Sequence, residues 1–205
     1  MSPAYAGFAS VVGNVLGVAF LKDMPSAYRL ARLDEWASAV RAQPGNTLAS
    51  AACFALGLLA LGAWARELGR VAGSPLAVFG GTVTAVTAAL NAAASLLVSV
   101  PALEGGACGA ACGGEGFTFL RAALTVDALF NLGLGVGLLC VGLAWRSAPR
   151  LRLLALAAGL ASVPVAGQAV WDGAAAVLYF AAPLWLTFIL LTSITWLRPH
   201  VAAQR

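Results

Sequence analysis

The sequence predicts an all-α integral membrane protein, namely a bundle of six transmembrane helices with one amphipathic helix at the membrane interface. Of the 205 residues, 61% are hydrophobic and only 10% are charged. Soluble domains are instead about half apolar and about a quarter charged. Apolar stretches long enough to cross a bilayer, which takes about 20 residues each, recur six times. The remaining length leaves no room for a separate soluble catalytic domain.

The six predicted spans form a single transmembrane domain over residues 1–205. They are 5–21, 48–65, 76–101, 122–145, 153–171 and 174–197. The first span lacks the basic residues that open a secretory signal peptide, so we expect it to be retained. A short turn near Trp171 separates the last two spans, because one uninterrupted helix would be too long for a single crossing.

Small residues recur one helical turn apart inside two of these spans. The patterns are Gly13-x-x-x-Gly17 and Gly133-x-x-x-Gly137. Such spacing lets two helix backbones approach closely. In a chain this rich in alanine and glycine, the patterns predict tight helix packing and not a specific dimer.

Residues 26–42 predict an amphipathic helix in the outer membrane interface, which ends at Pro44-Gly45. One helical arc is apolar and consists of Leu30, Leu33, Trp36, Ala37 and Val40. The other arc is polar and consists of Arg32, Asp34, Glu35, Ser38 and Arg41. Arg29 lies at the edge of the apolar arc and would have to extend toward water. Two interpretations stay open, a linker that covers the bundle surface and a lid over an outward-facing cavity.

Three spans end in a tryptophan followed by an arginine, which is typical of residues that anchor a helix at the membrane surface. The endings at Trp64, Trp145 and Trp196 all close even-numbered spans and therefore share one side. Seven cationic residues lie on that side, namely Arg66, Arg70, Arg146, Arg150, Arg152, Arg198 and Arg205. Five lie on the other side, namely Lys22, Arg29, Arg32, Arg41 and Arg121. This excess predicts a multi-pass protein of the plasma (inner) membrane with both termini in the cytoplasm.

Reporter fusions test this orientation. We expect a cytoplasmic signal from fusions made after residues 70, 150 and 205, and an external signal after residue 112. A cytoplasmic signal at 112 together with an external signal at 150 would reverse the predicted orientation.

Several classes of protein are excluded by the residues that are missing. The net charge of +4 does not indicate nucleic acid, because the basic residues lie at helix ends, where lipid headgroups explain them. The one histidine, His200, lies in the tail, which rules out multi-histidine metal and haem sites. The one lysine, Lys22, lies at a membrane boundary, which rules out a retinal Schiff base in the core. Nucleotide-binding and hydrolase motifs are missing as well. We therefore predict no cofactor, no metal and no catalytic residue, with the lipid bilayer and a small-molecule or lipid ligand as partners.

Cys108 and Cys112 lie in the glycine-rich loop 105–116, which the predicted topology places outside the cytoplasm. An oxidising compartment favours a disulfide between them. Three residues separate the two cysteines, whereas thiol oxidoreductases use two, so the pair predicts a structural disulfide or two spare thiols in preference to redox catalysis. Cys53 and Cys140 lie inside spans and should behave as small hydrophobic residues.

Polar residues inside the spans mark the expected site. The candidates are Asn14, Asn91, Asp127, Asn131, Gln168 and Asp172. On the third span Asn91 belongs to a polar stripe that also contains Thr84, Thr87 and Ser95. Asp127 and Asn131 are four residues apart and share one helical face. Because lipid offers no hydrogen-bond partner, Asp127 should face the bundle interior and contact Asn14, Asn91 or Gln168.

Two stretches resemble an uncharacterised bacterial family of six-helix membrane proteins of unknown function. They are GLAWRSAPRLRLLALAAGLASV, residues 142–163, and PLWLTFILLTSITWLRP, residues 183–199. The resemblance implies six helices, but no activity and no functional residues.

Three functions stay open. The chain is a non-enzymatic protein that binds or moves a small ligand or a proton, or a small membrane enzyme that acts on a lipid or isoprenoid with Asp127 or Asp172 as the acid, or a structural subunit. A closed and dry polar cluster would be an interhelical clamp and would favour the structural role. A cavity containing Asp127 and other polar groups would favour ligand binding. A lateral opening toward lipid would favour the enzyme.

Overall fold

The computed structural model describes residues 2–21, 33–99 and 113–202, and this part of the chain consists of helices joined by short turns. The α-helices are α1 Pro3–Phe20, α2 Leu33–Ala42, α3 Pro44–Ala72, α4 Pro75–Leu97, α5 Gly113–Ala144, α6 Pro149–Val165 and α7 Asp172–Ala202. A 3-10 helix, Ala166–Ala169, continues α6. Six of these helical segments are long and apolar enough to cross a membrane, and α2 is short and amphipathic. The predicted fold class is confirmed.

Proline begins four of the helices. These residues are Pro3, Pro44, Pro75 and Pro149, at the starts of α1, α3, α4 and α6. A helix does not use the N–H of its first residue, and the fixed φ of proline suits that position. For this reason α3 and α6 begin four residues earlier than the sequence predicts, at 44 instead of 48 and at 149 instead of 153. Pro44 therefore opens α3, and α2 ends just before it at Ala42, as predicted, because proline disfavours a helical conformation in the preceding residue.

Helix α3 also ends later than predicted, at Ala72 instead of residue 65. Charged residues do not stop a helix, and here Arg70 pairs with Glu67 one turn earlier. The helix stops at Gly73, whose φ of 69° lies in the left-handed region that favours glycine. At the other end of α4, Val98 and Ser99 form a turn, so α4 stops short of the predicted end at 101.

The six spans form a closed ring. Each span packs against the next one along the chain, and α7 returns to contact α1. We call the face where α1 and α4 end the α2 side, because α2 packs there. The opposite face, where α3, α5 and α7 end, is the tryptophan side. The centre of the ring contains a cavity on the α2 side and is filled with packed side chains on the tryptophan side.

Both glycine patterns lie at contacts between helices of the same chain. A Cβ atom built on Gly13 would lie 2.6 Å from the Cα atom of Gly57 in α3. One built on Gly137 would lie 2.7 Å from the carbonyl oxygen of Gly80 in α4. Real side chains do not tolerate such distances, so these backbones touch only because glycine has no Cβ atom. The patterns serve the packing of α1 on α3 and of α4 on α5.

Aromatic residues close the tryptophan side of the ring. Trp64 packs edge-on against Phe188, with ring centroids 5.7 Å apart, and lies 6.4 Å from the ring of Trp196. Phe188 also contacts the ring of Trp145 at 6.4 Å. We call these four residues the aromatic floor. The prediction that Trp64 anchors α3 at the membrane surface is wrong, because its side chain is 0% exposed. Helix α3 continues for two more turns, which places Trp64 inside the bundle.

The apolar arc of α2 faces the bundle. Its buried residues are Leu33, Trp36, Ala37 and Val40, and its exposed residues include Glu35, Ser38 and Arg41. The helix packs on Leu21 after α1, Val98 after α4 and Leu120 of α5. Helix α2 thus lies across the ends of three spans. Residues 26–32 of the predicted amphipathic helix lie outside the described residues.

Candidate functional site

Asp127 of α5 is the centre of a hydrogen-bonded cluster inside the ring. Asn91 of α4 donates from Nδ2 to Oδ1 of Asp127 at 2.9 Å. Gln168 of the 3-10 helix donates from Nε2 to Oδ2. Asn131 donates from Nδ2 to the same oxygen at 3.3 Å and to the backbone oxygen of Asp127 at 2.9 Å. We call these four residues the Asp127 cluster. The expected contact of Asp127 with Asn91 or Gln168 is confirmed.

Close packing of α4 on α5 brings Asn91 to the carboxylate. The polar stripe of α4 faces α5, where Thr84 and Thr87 lie against Gly137 and Gly133. The Thr87 hydroxyl donates to the backbone oxygen of Val83 at 3.0 Å, so the stripe satisfies its hydroxyl group locally. One turn beyond Thr87, the amide of Asn91 is left to reach across to Asp127.

A change of helix type brings Gln168 to the same point. Pro164 lies inside α6, where it removes one backbone donor, and the chain continues as the 3-10 helix Ala166–Ala169. Further along the contact between α5 and α6, a Cβ atom built on Gly135 of α5 would lie 3.1 Å from the backbone oxygen of Gly159 of α6. This close approach of α5 and α6 lets the Gln168 side chain span the remaining gap.

The cluster presents acceptors to its surroundings. Three amide N–H groups donate to the side-chain oxygens of Asp127, which therefore act as acceptors within the cluster. In the part of the chain that the structure describes, the side-chain oxygens of Asn91, Asn131 and Gln168 receive no hydrogen bond from the protein. Nor does the described part of the chain contain a group of three histidine, cysteine, aspartate or glutamate side chains that would hold a metal ion. A carboxylate surrounded by carbonyl oxygens is suited to a hydrogen-bond donor or a cation.

The cluster lies in the wall of a cavity of about 830 Å³ on the α2 side of the ring. Pockets for small molecules have about 300–1,000 Å³, so this volume suits one. The polar wall contains the Asp127 cluster, Ser95 and Asn14, whereas most of the remaining lining is apolar. Aromatic rings of Phe54, Phe130 and Trp185 contribute to the apolar wall. Trp36 of α2 is buried and also lines the cavity, so α2 covers it as a lid would.

The described residues leave the cavity open at one seam, between α1 and α7. Val15 and Val18 of α1 line the cavity, yet they are 52% and 63% exposed. Leu178 and Tyr179 of α7 also line it and are 38% and 73% exposed. The two helices meet on the tryptophan side, where Gly7 lies against Ser193. They therefore diverge toward the α2 side, and the cavity reaches the lipid-facing surface between them.

The aromatic floor closes the cavity toward the tryptophan side. Leu58 of α3 and Trp185 of α7 belong to the cavity wall. Trp64 and Phe188 lie one to two helical turns further along the same helices and are fully buried. The cavity therefore ends in apolar packing.

The other predicted site residues take different positions. Asn14 lines the same cavity, but its amide donates to the backbone oxygen of Ser10 at 2.9 Å and does not bond to Asp127. Asp172 begins α7, and its side chain lies outside what the structure describes. Cys108 and Cys112 lie outside the described residues, so their disulfide stays a prediction. Cys53 and Cys140 are free and lie inside spans, as expected.

Sequence reasoning missed two polar residues of the wall, Thr47 and Ser50 of α3. Both are 2% exposed. The hydroxyl of Ser50 donates to the backbone oxygen of Gly17 in α1 at 2.9 Å. Thr47 lies before the predicted start of the span at residue 48, and without Thr47 the single hydroxyl of Ser50 does not form a polar stripe. Had Pro44 been taken as the first residue of the helix, both would have been assigned to one helical face.

The fold and the cavity together define a polytopic membrane protein whose largely apolar cavity has one polar wall and lies on the α2 side of the ring. No protein-family model matches the chain, and no curated protein or solved structure matches it. The resemblance of residues 142–163 and 183–199 to an uncharacterised bacterial six-helix family stays a prediction from the sequence.

Proposed function

We propose that this protein binds a small ligand in the cavity, with the Asp127 cluster holding the polar end of the ligand. The observation that supports the proposal is the position of Asp127, a partly exposed residue in the lining of a cavity of ligand size. Binding sites of this kind are mostly apolar and contain a few convergent polar groups. The protein acts as a non-enzymatic binder or carrier of that ligand, or of a proton.

The cavity argues against a purely structural clamp. A clamp only needs polar groups that satisfy one another in a closed and dry interior. Here Asp127 keeps an exposed surface, and three amide oxygens of its cluster lack a bond from the described protein residues. These groups are available for a ligand.

With both termini placed in the cytoplasm, the α2 side faces outward. The cavity would then lie in the external half of the membrane, beneath α2. The excess of arginine on the tryptophan side supports this placement.

Native mass spectrometry of purified protein, with analysis of co-purifying molecules, tests ligand binding. The decisive variant is Asp127→Asn, because it keeps the shape of the side chain and removes its charge. Glu67→Gln is the matched control, because it makes the same chemical change on α3 away from the cavity. We expect a bound molecule in wild type and Glu67→Gln, and at least about tenfold less in Asp127→Asn. Adducts that are equal in all three proteins, or missing from all three, contradict the proposal.

The second candidate is a membrane enzyme acting on a lipid or isoprenoid with Asp127 as its acid. The opening between α1 and α7 favours it, because a lipid substrate would need such an entrance. A catalytic acid also requires partners that act on the reacting group. Turnover of a co-purified lipid by wild type, and its loss in Asp127→Asn, would identify this function in place of simple binding.

A further inference from the structure

We infer that the ligand is an amphiphile that resides in the membrane, carries a protonated amine at its polar end and enters sideways between α1 and α7. This inference rests on the proposed function, since it specifies the ligand and the route for the same cavity. Three observations carry it: the chemistry of the polar wall, the shape of the apolar wall and the position of the opening.

The polar wall selects the headgroup. The described lining residues include one carboxylate, Asp127, and no lysine, arginine or histidine. An anionic headgroup would be repelled by an ionised Asp127, and the described lining residues offer no cation to neutralise either charge. A neutral hydroxyl would satisfy some of the amide oxygens but could not form an ion pair with Asp127. A primary ammonium has three N–H donors, which matches the carboxylate and the free oxygens of Asn91 and Gln168.

The apolar wall selects the rest of the molecule. Phe54, Phe130 and Trp185 contribute flat aromatic surfaces, and Leu58 and Leu186 add aliphatic ones. A hydrocarbon chain gains about 0.8 kcal/mol for each CH₂ group transferred from water. A hydrocarbon chain inside a bilayer has already gained this free energy. The apolar wall therefore only has to contact the chain as favourably as lipid does. The interaction of the charged headgroup with Asp127 then decides the affinity.

The opening defines the route. Val15 and Val18 of α1 and Tyr179 of α7 are at once cavity lining and lipid-facing surface. Pro183 lies one turn after Tyr179, also lines the cavity and removes a backbone donor from that turn of α7. On the α2 side itself, the buried Trp36 covers the cavity. A molecule dissolved in the membrane meets an entrance between α1 and α7, whereas one from water meets α2.

Quenching of tryptophan fluorescence by bromine-tagged amphiphiles tests the inference on the full chain in lipid nanodiscs. The probes are 12-bromododecylamine, the matching alcohol and the matching carboxylic acid. Trp36 and Trp185 line the cavity, so quenching that saturates should vanish in the double variant Trp36→Phe, Trp185→Phe. In wild type we expect the amine to half-saturate at a concentration at least about tenfold lower than the alcohol. We expect no saturating phase with the acid.

Variants then separate charge from route. Asp127→Asn should bring the amine to the level of the alcohol, while Glu67→Gln should leave the preference unchanged. Val15→Phe should slow the approach to saturation severalfold, because it narrows the entrance. Its control is Val86→Phe on α4, since Val86 is 54% exposed, close to the 52% of Val15, but does not line the cavity.

The outcomes separate this inference from the proposed function. Equal binding of the amine and the alcohol to wild type would overturn the inferred ligand class, and this comparison needs no variant. The proposed binding of a small ligand in the cavity would still stand. Equal rates in Val15→Phe and Val86→Phe overturn the lateral route. A complete lack of saturating quenching with all three probes contradicts the inference and the proposed function together.

Discussion

Replacing Gly137 with alanine is expected to lower the free energy of unfolding by about 1–3 kcal/mol. The new methyl group would lie 2.7 Å from the carbonyl oxygen of Gly80, and a backbone oxygen cannot move aside as a flexible side chain can. Alanine favours a helix by about 1 kcal/mol over glycine, which offsets only part of this cost. Unfolding in mixed micelles titrated with SDS, followed by tryptophan fluorescence, measures the change.

Gly45 provides the matched control for this substitution. It lies in the first turn of α3, and a Cβ atom built on it would have no neighbour within 4 Å. Gly45→Ala should therefore be neutral or stabilising by up to about 1 kcal/mol. If Gly137→Ala and Gly45→Ala had the same effect, the close approach of α4 and α5 would not limit stability. Gly137 holds α5 close to α4, and these two helices carry Asp127 and Asn91 of the cluster. Gly137→Ala should therefore also weaken ligand binding.

Asp127→Leu is expected to lower the free energy of unfolding by about 2 kcal/mol. It removes the interhelical bonds from Asn91 and Gln168, which contribute about 0.6 kcal/mol each in membrane proteins. It also leaves their amides facing an apolar side chain, which adds to the loss. The cost of placing an acid in the membrane does not counter this, because a chain unfolded within the membrane bears the same cost.

Asp127→Asn separates stability from binding, and we expect its free energy of unfolding to stay within about 0.5 kcal/mol of wild type. The new amide oxygen still accepts a hydrogen bond, and a rotated amide partner can accept from the new N–H group. The same micelle titration measures this, alongside the ligand measurements. Unchanged stability with lost binding is the expected pair of results. A large loss of stability in Asp127→Asn would instead favour a clamp that depends on the charge.

The sequence predicted the polar cluster of the site better than the cavity around it. Asp127, Asn91 and Gln168 could be assigned to one cluster because a polar group in lipid must find a protein partner, and few such groups exist in this chain. The helical spacing and the scarcity of polar residues were enough to predict the cluster.

The cavity and the aromatic floor could not be predicted in the same way. Whether the ring encloses space depends on how α1 and α7 diverge, and no local pattern records the angle between two helices. Trp64 illustrates the difficulty, because a tryptophan next to an arginine is typical of the membrane surface. The length of α3 beyond Trp64, set by Gly73, made it a core residue. In this bundle the position of a helix end decides the role of a side chain two turns away.

The depth of Asp127 and the apolar floor beyond it also determine where the membrane potential acts. Asp127 lies nine residues inside the span Thr118–Ala144, or about 14 Å along an axis of about 40 Å. Moving one elementary charge through the whole membrane takes about 2.3 kcal/mol per 100 mV. A cation that reaches Asp127 from the α2 side crosses about a third of that voltage, which corresponds to about 0.8 kcal/mol. Loading of the cavity by a cation would therefore change about fourfold per 100 mV. The larger part of the electrical work would be done only on a charge that passes the aromatic floor.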